Sequence, residues 1–149
     1  MATPYEKIYN RFLQKISDFN LAEVDDYSFD EMMNSWLNSA VIRVRKCQHD
    51  LSKRDDELQE FEEDLSDLEI ELLALGMVDA WVSPMLNSTE LTLQFIGGKE
   101  EKYYSQSQML AELRNLKKEN SIEMNRLHNY YTLPHFLQLH SYPFVFSYY

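Results

Sequence analysis

Four histidines, a single cysteine and a run of carboxylates are the residues of this chain whose types and spacing could do chemistry. His49 precedes Asp50, and His128 follows Glu119 and Glu123, so each pairing offers an imidazole and a carboxylate that could share a proton. His135 and His140 stand apart from both. None of the four belongs to HExxH or another spaced metal motif, and no glycine-rich loop with a following lysine offers a phosphate cradle. On solvated helices such pairs are ordinarily polar surface residues, so the sequence predicts neither an enzyme nor a cofactor or metal site. Cys47 cannot form an intramolecular disulfide or a thiolate zinc cage, and its apolar neighbours predict a buried thiol.

The carboxylates are concentrated between Asp55 and Glu71. They lack the D-x-D-x-D-G spacing of a calcium loop, so the run reads as a solvated acidic face made by Asp55, Asp56, Glu57, Glu60, Glu62, Glu63 and Asp64. The formal net charge of -11 argues against a domain that grips nucleic acid, since phosphate binding is driven by Lys and Arg displacing counterions. It leaves room for a protein that stands beside DNA without adhering to it. MATPYEKIYNRF has charges where a signal peptide needs an apolar core, and no stretch approaches the ~20 apolar residues of a membrane span. The expectation is a protein made and folded in cytosol, with no membrane partner.

A different chemistry fills the C-terminal segment. Thr132 to Tyr149, TLPHFLQLHSYPFVFSYY, contains no Asp, Glu, Lys or Arg. Exposed apolar surface beyond a few hundred Å² usually marks a binding site, and uncharged terminal strands readily join exposed sheet edges. The segment either folds back onto its own helices or docks onto another subunit as a strand or arm; for docking, the favoured reading, the candidate protein interface begins at Tyr130 and Tyr131 and continues through Phe136, Leu137 and Leu139. It ends with Tyr142, Phe144, Phe146, Tyr148 and Tyr149.

Helices must position all of this, because Gly and Pro are scarce and capping signals recur. Thr3-Pro4-Tyr5-Glu6 reads as a capping box opening a helix to about Ser17, with Tyr5, Ile8, Tyr9, Phe12, Leu13 and Ile16 at helical spacing. Ser28-Phe29-Asp30-Glu31 opens a second, ending near Cys47 or Gln48, whose apolar face includes Met33, Trp36, Leu37, Ala40 and Val44. Gln48 to Asp64 reads as loop with some helix. Ser66-Asp67-Leu68-Glu69 is a third capping box, opening a central helix through Leu73, Met77 and Trp81 to Pro84. Gly76 within it costs about 1 kcal/mol of helix propensity relative to Ala and suggests a close helix crossing.

Asn87 to Phe95 reads as a separate short helix or turn, and Gly97-Gly98 as a break. Ser105 to about Tyr131 is the longest periodic segment, with Met109, Leu113, Leu116 and Leu127 on its stripe. Asn120 falls on the stripe and predicts partial exposure there, while Pro134 argues against simple continuation of the helix. The fold class is thus mainly α: a helical bundle over residues 1–131 with one long C-terminal helix, then an extended aromatic arm over 132–149 with room for a short β-strand.

Several of these elements together resemble a known family. A Leu-Ser/Thr-x-x-Glu-Ile start (Leu65, Ser66, Glu69, Ile70) is followed by a Leu-Ala-x-Gly-Met-Val-x-x-Trp helix (Leu73, Ala74, Gly76, Met77, Val78, Trp81). A Tyr-Ser pair (Tyr104, Ser105) and a long polar helix ending in Tyr130 and Tyr131 complete the pattern. The combination resembles the head-tail connector, adaptor or neck proteins of tailed bacteriophages of Gram-positive hosts, over about the middle and C-terminal two thirds of the chain. Pro134 to Tyr149 does not match it.

The resemblance implies an α-helical structural virion protein at the head-tail junction, assembled in the host cytoplasm. It implies a homo-oligomeric ring, twelvefold on a dodecameric portal, with portal protein on one side and tail-side neck or tail-completion proteins on the other. Genome DNA would pass without specific binding, repelled by the acidic face. The alternative is a tail-completion or other minor neck protein. From a different class, an acidic helical regulator that binds a basic host protein also fits the composition.

Overall fold

A computed structural model describes the backbone of residues 1–16, 26–44, 47–95 and 100–139, and the side chains of 1–16, 27–44, 47–90 and 104–130. Its elements in chain order are β1 (Thr3–Pro4), α1 (Tyr5–Lys15), α2 (Asp26–Arg43), β2 (Arg54–Asp55), β3 (Glu60–Phe61), α3 (Asp67–Phe95) and α4 (Glu100–Leu139). The described chain is mainly helical, as its apolar spacing predicts, with a small antiparallel sheet in the order β1-β3-β2.

α3 is central and packs against α1, α2 and α4. It is apolar on most sides, and Leu72, Leu73, Ala74, Met77 and Val82 are fully buried. Ile8 and Phe12 meet it from α1, Met33, Leu37 and Ala40 from α2, and Leu113 from α4. Phe12 lies between the two tryptophans, with ring centroids 5.5 Å from Trp36 and 6.5 Å from Trp81. α2 and α3 cross at Gly76, where an added Cβ would stand 2.8 Å from the Ala40 Cβ and 3.0 Å from its Cα. The glycine permits a backbone approach that any side chain would obstruct.

The third capping box forms as its spacing predicts. Ser66 Oγ and the Ser66 amide both donate to Glu69 Oε2 at 2.9 Å, and the Glu69 amide donates back to Ser66 Oγ at 3.3 Å. The first box does not form. α1 is capped by Pro4 with no side-chain bond, and Thr3 instead serves the sheet. Its hydroxyl donates to the Glu63 carbonyl and accepts from the Leu65 amide, each at 2.9 Å, so a nonlocal partner outcompetes the local cap. The second helix begins at Asp26, which places Ser28 within its first turn, and it ends at Arg43, short of Cys47.

The segment 48–64 contains no helix; it forms the β2–β3 hairpin. Asp55 Oδ1 accepts from the Glu57 and Leu58 amides, which folds the turn. Gln59 takes a left-handed φ of 53°, and its carbonyl accepts the Tyr5 amide at 2.8 Å. α3 does not stop at Pro84 but continues to Phe95, absorbing the expected short helix at 87–95. An interior proline forfeits a helical hydrogen bond at a cost of ~3 kcal/mol, and burial of Trp81, Val82 and Leu86 on either side offsets it. α4 likewise stays helical past Pro134 to Leu139. The Gly97-Gly98 break and the strand expected after His140 lie outside the described residues.

Candidate assembly surface

Of the two histidine–carboxylate pairings weighed in the sequence, the one between His49 and Asp50 does not form. His49 turns from Asp50, which accepts from the Ser52 amide and hydroxyl, and pairs with Glu69 across twenty residues. His49 Nδ1 lies 2.7 Å from Glu69 Oε2, and the His49 amide donates to Oε1 at 2.9 Å. Glu69 is wholly buried, and four donors from His49 and Ser66 replace its water. Burial pushes its carboxyl pKa up, but the hydrogen bonds from His49 and Ser66 outweigh that and hold it below the ordinary value. The same bond raises His49, against a smaller opposing effect of desolvation. The pair ties the α2–β2 connection to the start of α3, and its geometry is that of a structural clasp. Glu123 is taken by Arg126 at 2.7 Å.

Cys47 is half-buried, and burial, then the Glu69 charge, push its thiol pKa up to about 12. A thiol so held is a weak nucleophile at neutral pH. Among the described residues no group of three or more His, Cys, Asp or Glu is placed to hold a metal ion, and no described helix is long and apolar enough to cross a membrane.

The acidic face falls on the hairpin and the segment joining it to α3. Asp56, Glu57, Glu62 and Asp64 are exposed, while Asp55, Glu60 and Glu63 are half-buried. Part of this charge is committed internally: Asp56 accepts the Tyr5 hydroxyl at 2.8 Å, and Glu63 pairs with Lys53 at 3.1 Å. Burial, followed by that bond to Asp56, raises the Tyr5 phenol above its ordinary range. The tip is therefore a fixed acidic projection and not a loose loop.

α4 carries the other expected surface. Three bonds set its antiparallel register on α3: Arg114 to Glu90, Lys117 to Ser83, and Asn120 Nδ2 to the Leu75 carbonyl at 2.9 Å. Asn120 is buried, contrary to the expected exposure, because its amide finds that carbonyl inside the bundle. α4, at 40 residues, is longer than α3 at 29. Tyr130, in the C-terminal part of α4, is 66% exposed. Tyr131, Phe136, Leu137 and Leu139 continue the α4 backbone, with side chains outside the described set. Tyr142, Phe144, Phe146, Tyr148 and Tyr149 lie outside the described residues altogether.

One feature of α4 went unread in the sequence. Its inward stripe stays largely apolar, with Leu110, Leu113, Leu116, Met124 and Leu127 on the core around the buried Asn120, while Ser121, Asn125 and Asn129 stand exposed along one edge. There α4 borders an open groove of about 420 Å³, whose opposite wall is the Arg43–Asp79 ion pair between α2 and α3.

No family model, curated protein or solved structure matches this chain.

Proposed function

We propose that this protein is a structural virion component, a head-tail connector whose copies form a ring beneath the portal and join the head to the tail. The observation that carries the reading is α4, a helix longer than its packing partner, which exposes Tyr130 and leads into an uncharged aromatic segment. A protein with no further contacts gains nothing from presenting such a segment, whereas a permanent interface buries it. The motif residues behind the phage-connector resemblance also have mechanical roles here. Ser66 and Glu69 cap α3, Gly76 admits α2, and Trp81 fills the core.

In this reading the acidic hairpin faces the channel, where like charge lets DNA slide without adhering. The segment from Tyr130 onward contacts the portal or a neighbouring copy. Electron microscopy of the purified protein mixed with a candidate portal, together with its mass in solution, is the test. Rings stacked on portal support the proposal. A monomer indifferent to portal overturns it, and rings that bind tail tube alone reassign the protein to tail completion.

A further inference from the structure

The groove beside distal α4 fits a specific occupant. Its α4 wall presents Ser121, Asn125 and Asn129 at successive turns, all exposed, with Met124 and His128 between them. Arg43 and Asp79 pair across the opposite wall, so the groove carries no net charge from its fixed ions. Three large exposed apolar side chains, Ile42, Ile122 and Tyr130, are chain neighbours of lining residues, with relative exposures of 81%, 58% and 66%. Amide and hydroxyl groups at successive turns, a neutral pair of fixed ions and the apolar Met124 side chain in the lining suit an extended, uncharged, aromatic peptide. The volume lies within the ~300–1,000 Å³ of sites that receive ligands or side chains.

The chain itself supplies such a peptide. His140 to Tyr149, HSYPFVFSYY, is uncharged and holds five aromatic residues. α4 carries it away from the groove of its own copy, because Leu139 stands about 15 Å along the helix from Asn129 at 1.5 Å per residue. Ten extended residues span at most about 33 Å, so nearly half of that reach would be spent retracing its own helix. We infer that the groove between Arg43–Asp79 and the Ser121–Asn129 face of α4 receives the C-terminal segment 140–149 of a neighbouring copy. This rests on the ring reading above and names the surface that would close the ring head to tail.

Disulfide trapping between full-length chains tests it. In a Cys47→Ala background, one chain carries Asn125→Cys and the other Ser147→Cys; the control replaces the groove cysteine with Lys7→Cys, on the exposed face of α1. Mixing should give cross-linked heterodimers at least tenfold above the control. A second measurement uses Ser121→Arg with Asn125→Arg, both exposed and so compatible with folding, which should lower the assembled mass while leaving the helical circular dichroism unchanged. Oligomers of undiminished mass whose heterodimer cross-link does not exceed the control overturn the inference and leave the ring standing. Monomers without cross-links overturn both. Cross-linked oligomers that ignore portal support the groove assignment and remove the connector reading.

Discussion

Gly76→Ala should destabilise this protein, although alanine is the better helix former. In an isolated helix the change is worth about 1 kcal/mol in favour of alanine. Here the new methyl would sit 2.8 Å from the Ala40 Cβ and 3.0 Å from the Ala40 Cα, and backbone cannot step aside as the end of a flexible side chain can. Forcing an extra carbon into a packed interior typically costs ~1–3 kcal/mol. The net should therefore be a loss of about 1 kcal/mol, or roughly 2–4 °C in thermal midpoint for a chain of this size. Urea denaturation followed by helical circular dichroism measures it. Ala40→Gly, in the same assay, supplies the control: with the opposing methyl removed, the loss on Gly76→Ala should shrink but not vanish, because the Ala40 Cα at 3.0 Å remains. A Gly76→Ala variant more stable than wild type in the native background would refute the argument that contact, not propensity, governs this position.

Other consequences are open to the same assay. Glu69 has a lowered pKa in the folded state, so its contribution is present above the ordinary carboxylate value and lost as pH falls through the lowered one; Glu69→Gln should flatten the acid side of a stability–pH curve. His49 is shifted upward, so its share is full below about pH 6.5 and lost as pH rises through the raised value. His49→Gln should remove that alkaline decline and also weaken the acid limb, because the imidazole helps hold Glu69 below its ordinary value. Asn120→Asp places a carboxylate against the buried Leu75 carbonyl and should cost ~3 kcal/mol or more, whereas Asn120→Leu should lie within about 1 kcal/mol of wild type; equal losses would deny the hydrogen bond its role. Deleting Leu133 to Tyr149 should abolish portal attachment while preserving the helical signal up to Tyr131, and retained attachment would exclude the segment as the docking element.

What could be read from the sequence depended on the distance between partners. The Ser66–Glu69 box and the Gly76 crossing were legible, because three-residue spacing encodes the first and the lack of a side chain announces the second. Thr3 misled for the converse reason: its spacing to Glu6 satisfies a capping box, but Glu63 and Leu65, sixty residues away, compete for the hydroxyl and win. The hairpin was hidden because its strands are two residues each and its turn depends on the Asp55 side chain and not on Asn-Gly or Asp-Gly. Asn120 sits on a stripe where exposure was the local inference, and a carbonyl on another helix reversed it. On the candidate surface, Tyr130 was legible as an aromatic at the end of a polar helix. The groove needs Arg43 and Asp79 from two other helices, and no periodicity within α4 locates them.

The pairing of β1 with β3 also bears on how the chain acquires its structure. Tyr5 gives its amide to Gln59, and Thr3 closes on Leu65, so the start of α1 is secured only by residues some sixty positions later. Synthesis at about 5–20 residues per second leaves the first helix waiting several seconds for those partners to leave the ribosome. During that interval Tyr5, Ile8 and Phe12, all destined for the core, have neither α3 nor the hairpin to cover them. α3 and α4, adjacent in the chain and packed antiparallel, need much shorter loop closure and can associate without the N-terminus. α1, translated ahead of its partners, is thus among the last elements to be fixed, and the period before it docks is when a chaperone or an aggregate has access to its apolar face.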